Sequence, residues 1–467
     1  MSLKLVIDKL ESQEITPKQL VEQSIRLIND KNSDIKAVVN ERFEKALVEA
    51  ESDYSHTKYK GIPILIKSVG HSLANEPSTA ASKILKDAVT PYTDNFVKAI
   101  QDLGFIIIGQ TNAPEFAFKN ISDSELYGTV RNPLKMDKTP GGSSGGAAAA
   151  LLAKFTPVVA ASDGGGSIRI PASFSGLVGL KPTRGAIPTG PFSHRGWQGA
   201  SVNFFITDNV EDSRMLFNDI KKNTIASPFN YIEKEMDATK PLRIAYTDIS
   251  PIGSEVSDDA KHTVKMTVEA LEKMGHTVEY IKPDYDGMQL MKTYYMVNGV
   301  ETASMIKGIE GMTGQAATID DIELMSWALY QYGLSVEGYE MVDALNFWDS
   351  VSEVLHTFHE TYDLFITPTN AKAAPFYDQV YHDEAFIERM KNVENDDDKY
   401  QIVWDMFDTP ITYTPFTMLA NITGQPAISV PMYVNEDGDN FGVQLMAVKG
   451  AENFLLDMAD QLLDSKK

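Results

Sequence analysis

The chain has 467 residues, 43% of them hydrophobic and 23% charged, so it can bury a large core in one α/β domain or in several domains. Its formal net charge of −23 disfavours nucleic acid and anionic membranes as partners, because their phosphates would repel it. The lack of cysteine excludes disulfides, a thiolate nucleophile and cysteine metal ligands. The N-terminus lacks the long apolar core of a signal peptide, and the longest apolar stretch, 147–161, is too short to span a bilayer, so we expect a cytoplasmic protein.

The predicted elements alternate between helices and short buried strands. In chain order they are a helix beginning at Pro17 with Thr16 as its N-cap, a helix over 40–52, strands over 61–67 and 106–108, a helix over 145–153, a strand over 157–160, a strand, helix and strand over 242–246, 258–274 and 277–281, a mostly helical region over 286–362, and strands over 364–366 and 427–430. This alternation predicts a layered α/β domain.

Two glycine- and serine-rich segments stand out, at 141–146 (GGSSGG) and 163–167 (DGGGS). Glycines in such runs let the backbone turn sharply and point its amides outward, which suits an oxyanion or a phosphate. Neither segment continues into the Gly-Lys-Ser/Thr sequence of a phosphate-binding P-loop. The hydroxyls of Ser143 and Ser167 are therefore candidates for nucleophilic chemistry.

A serine nucleophile needs a base. The eight histidines are scattered, and none lies beside either glycine-rich segment. Lys67 ends an apolar predicted strand, and a lysine buried among apolar residues loses its proton more easily than one in water. Lys67 is therefore the candidate base.

Several segments together resemble the amidase signature family, and they extend over the whole chain. The matching segments are 61–67 (GIPILIK), 109–112 (GQTN), 141–146, 163–172 (DGGGSIRIPA), 176–185 (GLVGLKPTRG), 363–369 (DLFITPT) and 421–431 (NITGQPAISVP). The resemblance implies one α/β/α domain over 1–467 with a central mixed β-sheet covered by helices. Within it, 60–210 would form the catalytic core segment and 286–362 a helical region on the substrate side.

The resemblance also implies a Ser-cisSer-Lys triad in an enzyme that hydrolyses carboxamides. Ser167 would be the acyl-forming nucleophile, Ser143 the bridging serine after a cis peptide bond, and Lys67 the general base. The oxyanion and substrate-binding positions would be Gly164, Gly165, Gly166 and Ser144, with the Ser167 amide as a further donor. The enzyme would need no metal and no organic cofactor, would act on a small-molecule amide, and is compatible with a homodimer. Arg169 is expected to brace the loop rather than touch substrate.

The sequence departs from the family pattern at three places. Gly164 stands where threonine is usual, Ser68 stands where aspartate is usual, and 435–442 lacks the usual Gly-Leu-Pro. No triad position is lost, so the reaction type is better determined than the substrate preference.

Four alternatives remain open. Residues 141–145 also fit a G-x-S-x-G nucleophile elbow, in which Ser143 would be the nucleophile and a later acid and histidine its partners. His356, His359 and Glu360 share a predicted helical face, although their spacing does not fit known zinc motifs. The chain could also be the glutamine-hydrolysing A subunit of a tRNA-dependent amidotransferase, or a catalytically silent binding protein. The segment 185–191 and Trp197 favour the general amidase branch.

Overall fold

The computed structural model describes residues 2–466. Within this range, eleven of the thirteen strands form one mixed sheet in the order β1-β3-β2-β6-β8-β7-β12-β13-β11-β9-β10, and β4 pairs with β5 separately. The strands are β1 (Val38–Glu41), β2 (Pro63–Lys67), β3 (Ile106–Thr111), β4 (Asp123–Ser124), β5 (Gly128–Thr129), β6 (Val159–Asp163), β7 (Val178–Lys181), β8 (Val202–Thr207), β9 (Arg243–Tyr246), β10 (Thr277–Tyr280), β11 (Leu364–Pro368), β12 (Ala427–Val434) and β13 (Asn440–Met446).

Helices cover the sheet, which confirms the predicted single α/β domain with a mixed sheet. Over residues 2–466 they are α1 (Leu3–Glu11), α2 (Pro17–Ile35), α3 (Phe43–Glu49), α4 (Asn95–Asp102), α5 (Gly145–Leu152), α6 (Arg169–Ser175), α7 (Val210–Ile220), α8 (Asp258–Lys273), α9 (Gly287–Thr313), α10 (Leu324–Gly333), α11 (Gly338–Thr361), α12 (Glu384–Lys391), α13 (Lys399–Ile411), α14 (Met418–Thr423) and α15 (Glu452–Asp464). None of these helices is both long and apolar enough to cross a bilayer.

Local sequence signals place the N-terminal helices well. Thr16 caps α2 by accepting a hydrogen bond from the Gln19 backbone amide, and the Gln19 side-chain oxygen accepts one from the Thr16 backbone amide. Pro17 occupies the first turn, where its missing N–H costs nothing. The predicted start of α2 is confirmed.

At other places, pairing between strands that are distant in sequence overrides the secondary structure that the local sequence favours. The predicted helix over 40–52 is wrong in its first part, because β1 pairs antiparallel with β3 and only Phe43–Glu49 is helical. Six strands are absent from the predicted elements: β1, β4, β5, β7, β8 and β13. β13 lies between β12 and β11 near the middle of the sheet, and its hydrogen bonds with β11 come from residues far away in sequence.

The sheet brings Lys67 and the second glycine-rich segment to one edge. β2 and β6 are parallel neighbours, so their carboxyl ends, at Lys67 and Asp163, lie at the same edge of the sheet. Each glycine-rich segment then leads directly into a helix, 141–146 into α5 and 163–167 into α6. The helices α9, α10, α11 and α13 pack on each other in a second apolar core.

Candidate active site

The three predicted catalytic side chains, Lys67, Ser143 and Ser167, form one line of hydrogen bonds, which we call the catalytic line. Lys67 Nζ donates to Ser143 Oγ at 2.8 Å, and Ser143 Oγ donates to Ser167 Oγ at 2.9 Å. The Gly142–Ser143 peptide bond is cis. Lys67 and Ser143 are buried, whereas Ser167 is partly accessible. A proton can therefore pass between Lys67 and Ser167 through Ser143.

Ser143 and Ser167 open into a cavity of about 730 Å³. Gly164 and Gly165 also line it, and the rest of its wall is largely apolar and aromatic, including Phe116, Phe118, Trp197, Tyr294, Tyr295 and Met418. Most large ligand pockets combine such a wall with a few convergent polar groups. This cavity is therefore the candidate substrate pocket.

The surroundings of Lys67 favour its neutral form. Burial lowers the pKa of Lys67 to about 7, against the opposing effect of the nearby Asp163 carboxylate. Besides Ser143, the ammonium donates to Ser162 Oγ at 2.9 Å. A substantial fraction of Lys67 is then deprotonated near neutral pH and able to accept a proton.

Two residues that position Lys67 were missed by sequence reasoning, Ser162 and His71. The Lys67 backbone N–H donates to Nδ1 of His71 at 3.0 Å, and His71 Nε2 lies 3.3 Å from Asn203 Oδ1. Burial and the nearby Lys67 ammonium lower the pKa of His71 to about 3, so its imidazole is neutral at pH 7. His71 lies four residues after Lys67, which was a signal, whereas nothing in the sequence distinguished Ser162.

A buried ion pair anchors the second glycine-rich segment. Asp163 and Arg169 are both fully buried, with Arg169 Nη2 2.9 Å from Asp163 Oδ1. The Asp163 carboxylate also accepts from the backbone amides of Gly166 at 2.8 Å and Ile168 at 3.2 Å. Burial alone would raise the pKa of Asp163, but Arg169 and Asn421 outweigh it and lower the pKa to about 2. Arg169 therefore braces the loop, as predicted.

Two side chains that are not part of the catalytic line bind the carbonyl groups of this loop. Tyr294 donates its hydroxyl to the Gly164 carbonyl at 3.1 Å, and Thr417 donates to the Gly165 carbonyl at 2.6 Å. No acceptor among residues 2–466 takes the N–H groups of Gly164, Gly165 or Ser167. These three amides, on residues that line the pocket, therefore remain candidates for the predicted oxyanion hole.

Two of the predicted oxyanion or substrate-binding positions need correction. The Gly166 amide already donates to Asp163, so it is not available to an oxyanion. Ser144 is fully buried and its hydroxyl donates to the Ser162 carbonyl at 3.2 Å, so it supports the loop instead of contacting substrate. Neither residue lines the pocket.

The departures from the family pattern lie around the site without breaking the catalytic line. A Cβ atom placed on Gly164 would have Ser201 Cβ, 3.8 Å away, as its nearest neighbour, so glycine leaves open space at the pocket wall. The Ser68 amide donates to the Thr111 carbonyl at 3.1 Å, and its buried hydroxyl has no hydrogen-bond partner within residues 2–466. The segment 435–442 contains the turn between β12 and β13 and does not line the pocket.

Replacing Arg169 by leucine is expected to destabilise the protein by about 3–5 kcal/mol, because it leaves the Asp163 carboxylate buried without its partner. Urea unfolding monitored by circular dichroism measures the change. The matched control is Arg214→Leu, which breaks the half-exposed pairs with Asp457 and Asp460 and should cost less than about 1 kcal/mol. Equal losses in the two variants would contradict the anchoring role.

The geometry weighs against two alternative interpretations. In a nucleophile elbow, Ser143 would contact a histidine, but it contacts Lys67 and Ser167 instead. In α11, His359 Nδ1 lies 3.0 Å from the Tyr362 carbonyl. No three histidine, aspartate or glutamate side chains of residues 2–466 converge on a metal-binding geometry.

The sequence profile of the family described as Amidase matches residues 19–456. The chain therefore belongs to the amidase signature family. A lipoamidase of Enterococcus faecalis is 36% identical over 96% of this chain. The chain spans 61% of that relative's length.

Two further comparisons cover nearly the whole of both proteins. A solved structure of 6-aminohexanoate cyclic dimer hydrolase complexed with substrate has a TM-score of 0.90 and 27% identity, covering 100% of this chain and 97% of that one. The A subunit of the glutamyl-tRNA(Gln) amidotransferase of Francisella philomiragia is 28% identical over 98% of this chain and 95% of its own length. Family, fold and relatives together identify this chain as an amide-hydrolysing enzyme.

Proposed function

We propose that this enzyme hydrolyses a carboxamide through an acyl-enzyme on Ser167, with Ser143 and Lys67 as its proton relay. The observation that carries the proposal is the unbroken line from Lys67 Nζ to Ser143 Oγ to Ser167 Oγ. Lysine is ordinarily a poor base at neutral pH, because its high pKa keeps it protonated. Burial lowers the pKa of Lys67 to about 7, so its neutral form is available here.

In the acylation step, neutral Lys67 accepts the Ser143 proton while Ser143 accepts that of Ser167, and Ser167 Oγ bonds to the amide carbon. The oxyanion that forms accepts hydrogen bonds from the amides of Gly164, Gly165 and Ser167. One such donor typically contributes about 100- to 1000-fold in rate. The relay then runs backwards and protonates the nitrogen as the C–N bond breaks.

In the deacylation step, water enters the place of the departed amine. Its proton passes through Ser143 to Lys67 while its oxygen bonds to the acyl carbon. The bond to Ser167 then breaks, Ser167 regains its proton, and a carboxylic acid leaves. No metal or organic cofactor enters either step, and a cytoplasmic location and a homodimer remain predictions.

The pocket supports a substrate with an apolar acyl or amine part. The helical region 286–362 would form its substrate side, since Tyr294, Tyr295, Met305 and Met325 contribute to the wall. The names of two relatives, lipoamidase and 6-aminohexanoate-cyclic-dimer hydrolase, refer to amides with aliphatic chains, which fit such a wall. We therefore favour a stand-alone amidase over part of a tRNA-dependent amidotransferase.

Labelling with a fluorophosphonate probe tests the nucleophile directly, because the probe forms a covalent bond only with an activated serine. We expect stoichiometric labelling of the wild-type chain at Ser167, mapped by mass spectrometry of the digested protein. Ser144→Ala is the matched control and should label normally, whereas Ser167→Ala should not label. Labelling at Ser143 would support the nucleophile elbow, and absence of labelling would support a catalytically silent binding protein.

A further inference from the structure

One wall of the substrate pocket carries a cluster of charges that the proposed mechanism does not use. Lys119 and Asp123 line the pocket, and Lys119 is the only lysine or arginine of residues 2–466 that does so. Lys119 Nζ lies 2.9 Å from Asp123 Oδ1 and 2.8 Å from Glu323 Oε2. We call these three residues the Lys119 cluster.

The cation in this cluster is already paired with two carboxylates. Lys119 is largely buried, with 14% of its side chain exposed. Burial would lower its pKa, but the two carboxylates outweigh burial and raise it, so Lys119 stays protonated. A substrate carboxylate that approaches Lys119 must either displace Asp123 or Glu323, which leaves a buried charge uncompensated, or lie beside both carboxylates and be repelled by them.

The charged groups that line the pocket, taken together with Glu323, carry a net negative charge. With two carboxylates and one ammonium, the Lys119 cluster carries about one negative charge at neutral pH. Asp94 also lines the pocket and is held by the Ser72 amide at 2.6 Å. Burial lowers the pKa of His382, another lining residue, so it adds no positive charge at pH 7.

Glu115 lies behind the cluster and ties it to the fold. Its carboxylate accepts from the Glu323 amide at 2.8 Å and from Ser82 Oγ at 2.5 Å. Glu323 in turn accepts from the Glu125 amide at 2.7 Å. The Glu323 carboxylate beside Lys119 is therefore fixed in place and is not free to rotate away from an incoming anion.

We propose that the Lys119 cluster makes this enzyme select against amides that carry a carboxylate, and that Asp123 is the specificity-determining residue. Neutral amides and amides with a protonated amine meet no such penalty. The same arrangement disfavours glutamine, whose carboxylate finds no free cation among the described residues that line the pocket. This inference rests on the proposed function, because it takes the pocket beside Ser167 as the substrate site.

The test compares three amides of equal chain length, hexanamide, 6-aminohexanamide and adipic acid monoamide, by the kcat/KM for ammonia release at pH 7.5. We expect the carboxylate-bearing amide to be at least about tenfold poorer than hexanamide, and the cationic amide to be no poorer. Equal values for all three would overturn the inference alone. Release of ammonia from none of them would contradict the proposed function instead.

Two variants of the same ion pair then separate charge from packing. Asp123→Asn removes one negative charge beside Lys119 and should lower the ratio of kcat/KM for hexanamide to kcat/KM for adipic acid monoamide about tenfold. Lys119→Met removes the cation and should raise the same ratio of kcat/KM values about tenfold. If the cluster were merely structural, the ratio would change in the same direction in both variants. That outcome would overturn the assignment of Asp123 as the specificity-determining residue. Asp34→Asn makes the same charge change as Asp123→Asn at an exposed site away from the pocket, and it should leave the ratio unchanged.

Discussion

Replacing Ser167 by alanine is expected to lower kcat/KM for amide hydrolysis by at least about four orders of magnitude. The change removes the oxygen that would form the acyl-enzyme, and the oxyanion amides alone can supply only a residual rate. The loop itself should keep its shape, because its contacts come from the Asp163 carboxylate and from Tyr294 and Thr417, not from the Ser167 hydroxyl. Steady-state ammonia release and thermal unfolding of the same preparation measure the two effects.

The two serines at 143 and 144 separate the relay from its surroundings, with Ser144→Ala as the matched control. Ser143→Ala should also abolish turnover, because it interrupts the relay between Lys67 and Ser167. Ser144→Ala should keep most of the activity, since its hydroxyl bonds only the backbone of Ser162. An active Ser167→Ala variant beside an inactive Ser143→Ala variant would replace the proposed mechanism with the nucleophile elbow.

Replacing Lys67 by methionine is expected to lower kcat/KM on the order of 1000-fold, within the usual contribution of a general base. In the wild type, kcat/KM should rise with pH along a limb centred on about 7, the pKa of Lys67, because only its neutral form accepts a proton. The limb should be absent from the residual activity of the variant. Initial rates between about pH 5.5 and 9, a range that spans this pKa, measure both.

A second buried lysine offers the control for this profile. Lys181 is also fully buried, and burial lowers its pKa well below the ordinary value, but it donates to the Pro182 carbonyl and does not line the pocket. Lys181→Met should therefore leave the midpoint of the limb unchanged. The assignment of Lys67 as the base would be contradicted if the pH limb of kcat/KM shifted its midpoint in Lys181→Met and was still present in Lys67→Met.

The same pKa shift affects stability with a definite sign. The folded-state pKa of Lys67 is about 7, below its ordinary 10.5, so between these values the unfolded chain binds more protons. The destabilisation is thus largest below pH 7 and disappears as the pH rises towards 10.5. Lys67→Met should unfold at a higher urea concentration than the wild type at about pH 7, and the difference should shrink at about pH 9. A variant less stable than the wild type at neutral pH would contradict this.

The sequence alone indicated the family and predicted the three residues of the catalytic line, because those features are encoded in short contiguous motifs. A glycine-rich segment, an apolar strand that ends in Lys67 and the capped start of α2 each depend on neighbouring residues, so their character is visible along the chain. The assignment of Ser143 and Ser167 came from the family resemblance, and the structure then placed both within hydrogen-bond distance of each other.

Only the tertiary structure decided which polar groups surround the catalytic line. Ser162 contacts Lys67 from 95 residues away, and Glu323 lies 208 residues from the Glu115 carboxylate that binds its amide. The hydroxyl of Ser144 bonds Ser162, 18 residues further along the chain, so its predicted substrate-binding role needed correction. The correction at Gly166 has a local cause, because its amide donates to Asp163 only three residues earlier. A local pattern fixes the conformation of a segment, whereas the partner of a buried polar group is set by which distant segments the sheet brings beside it.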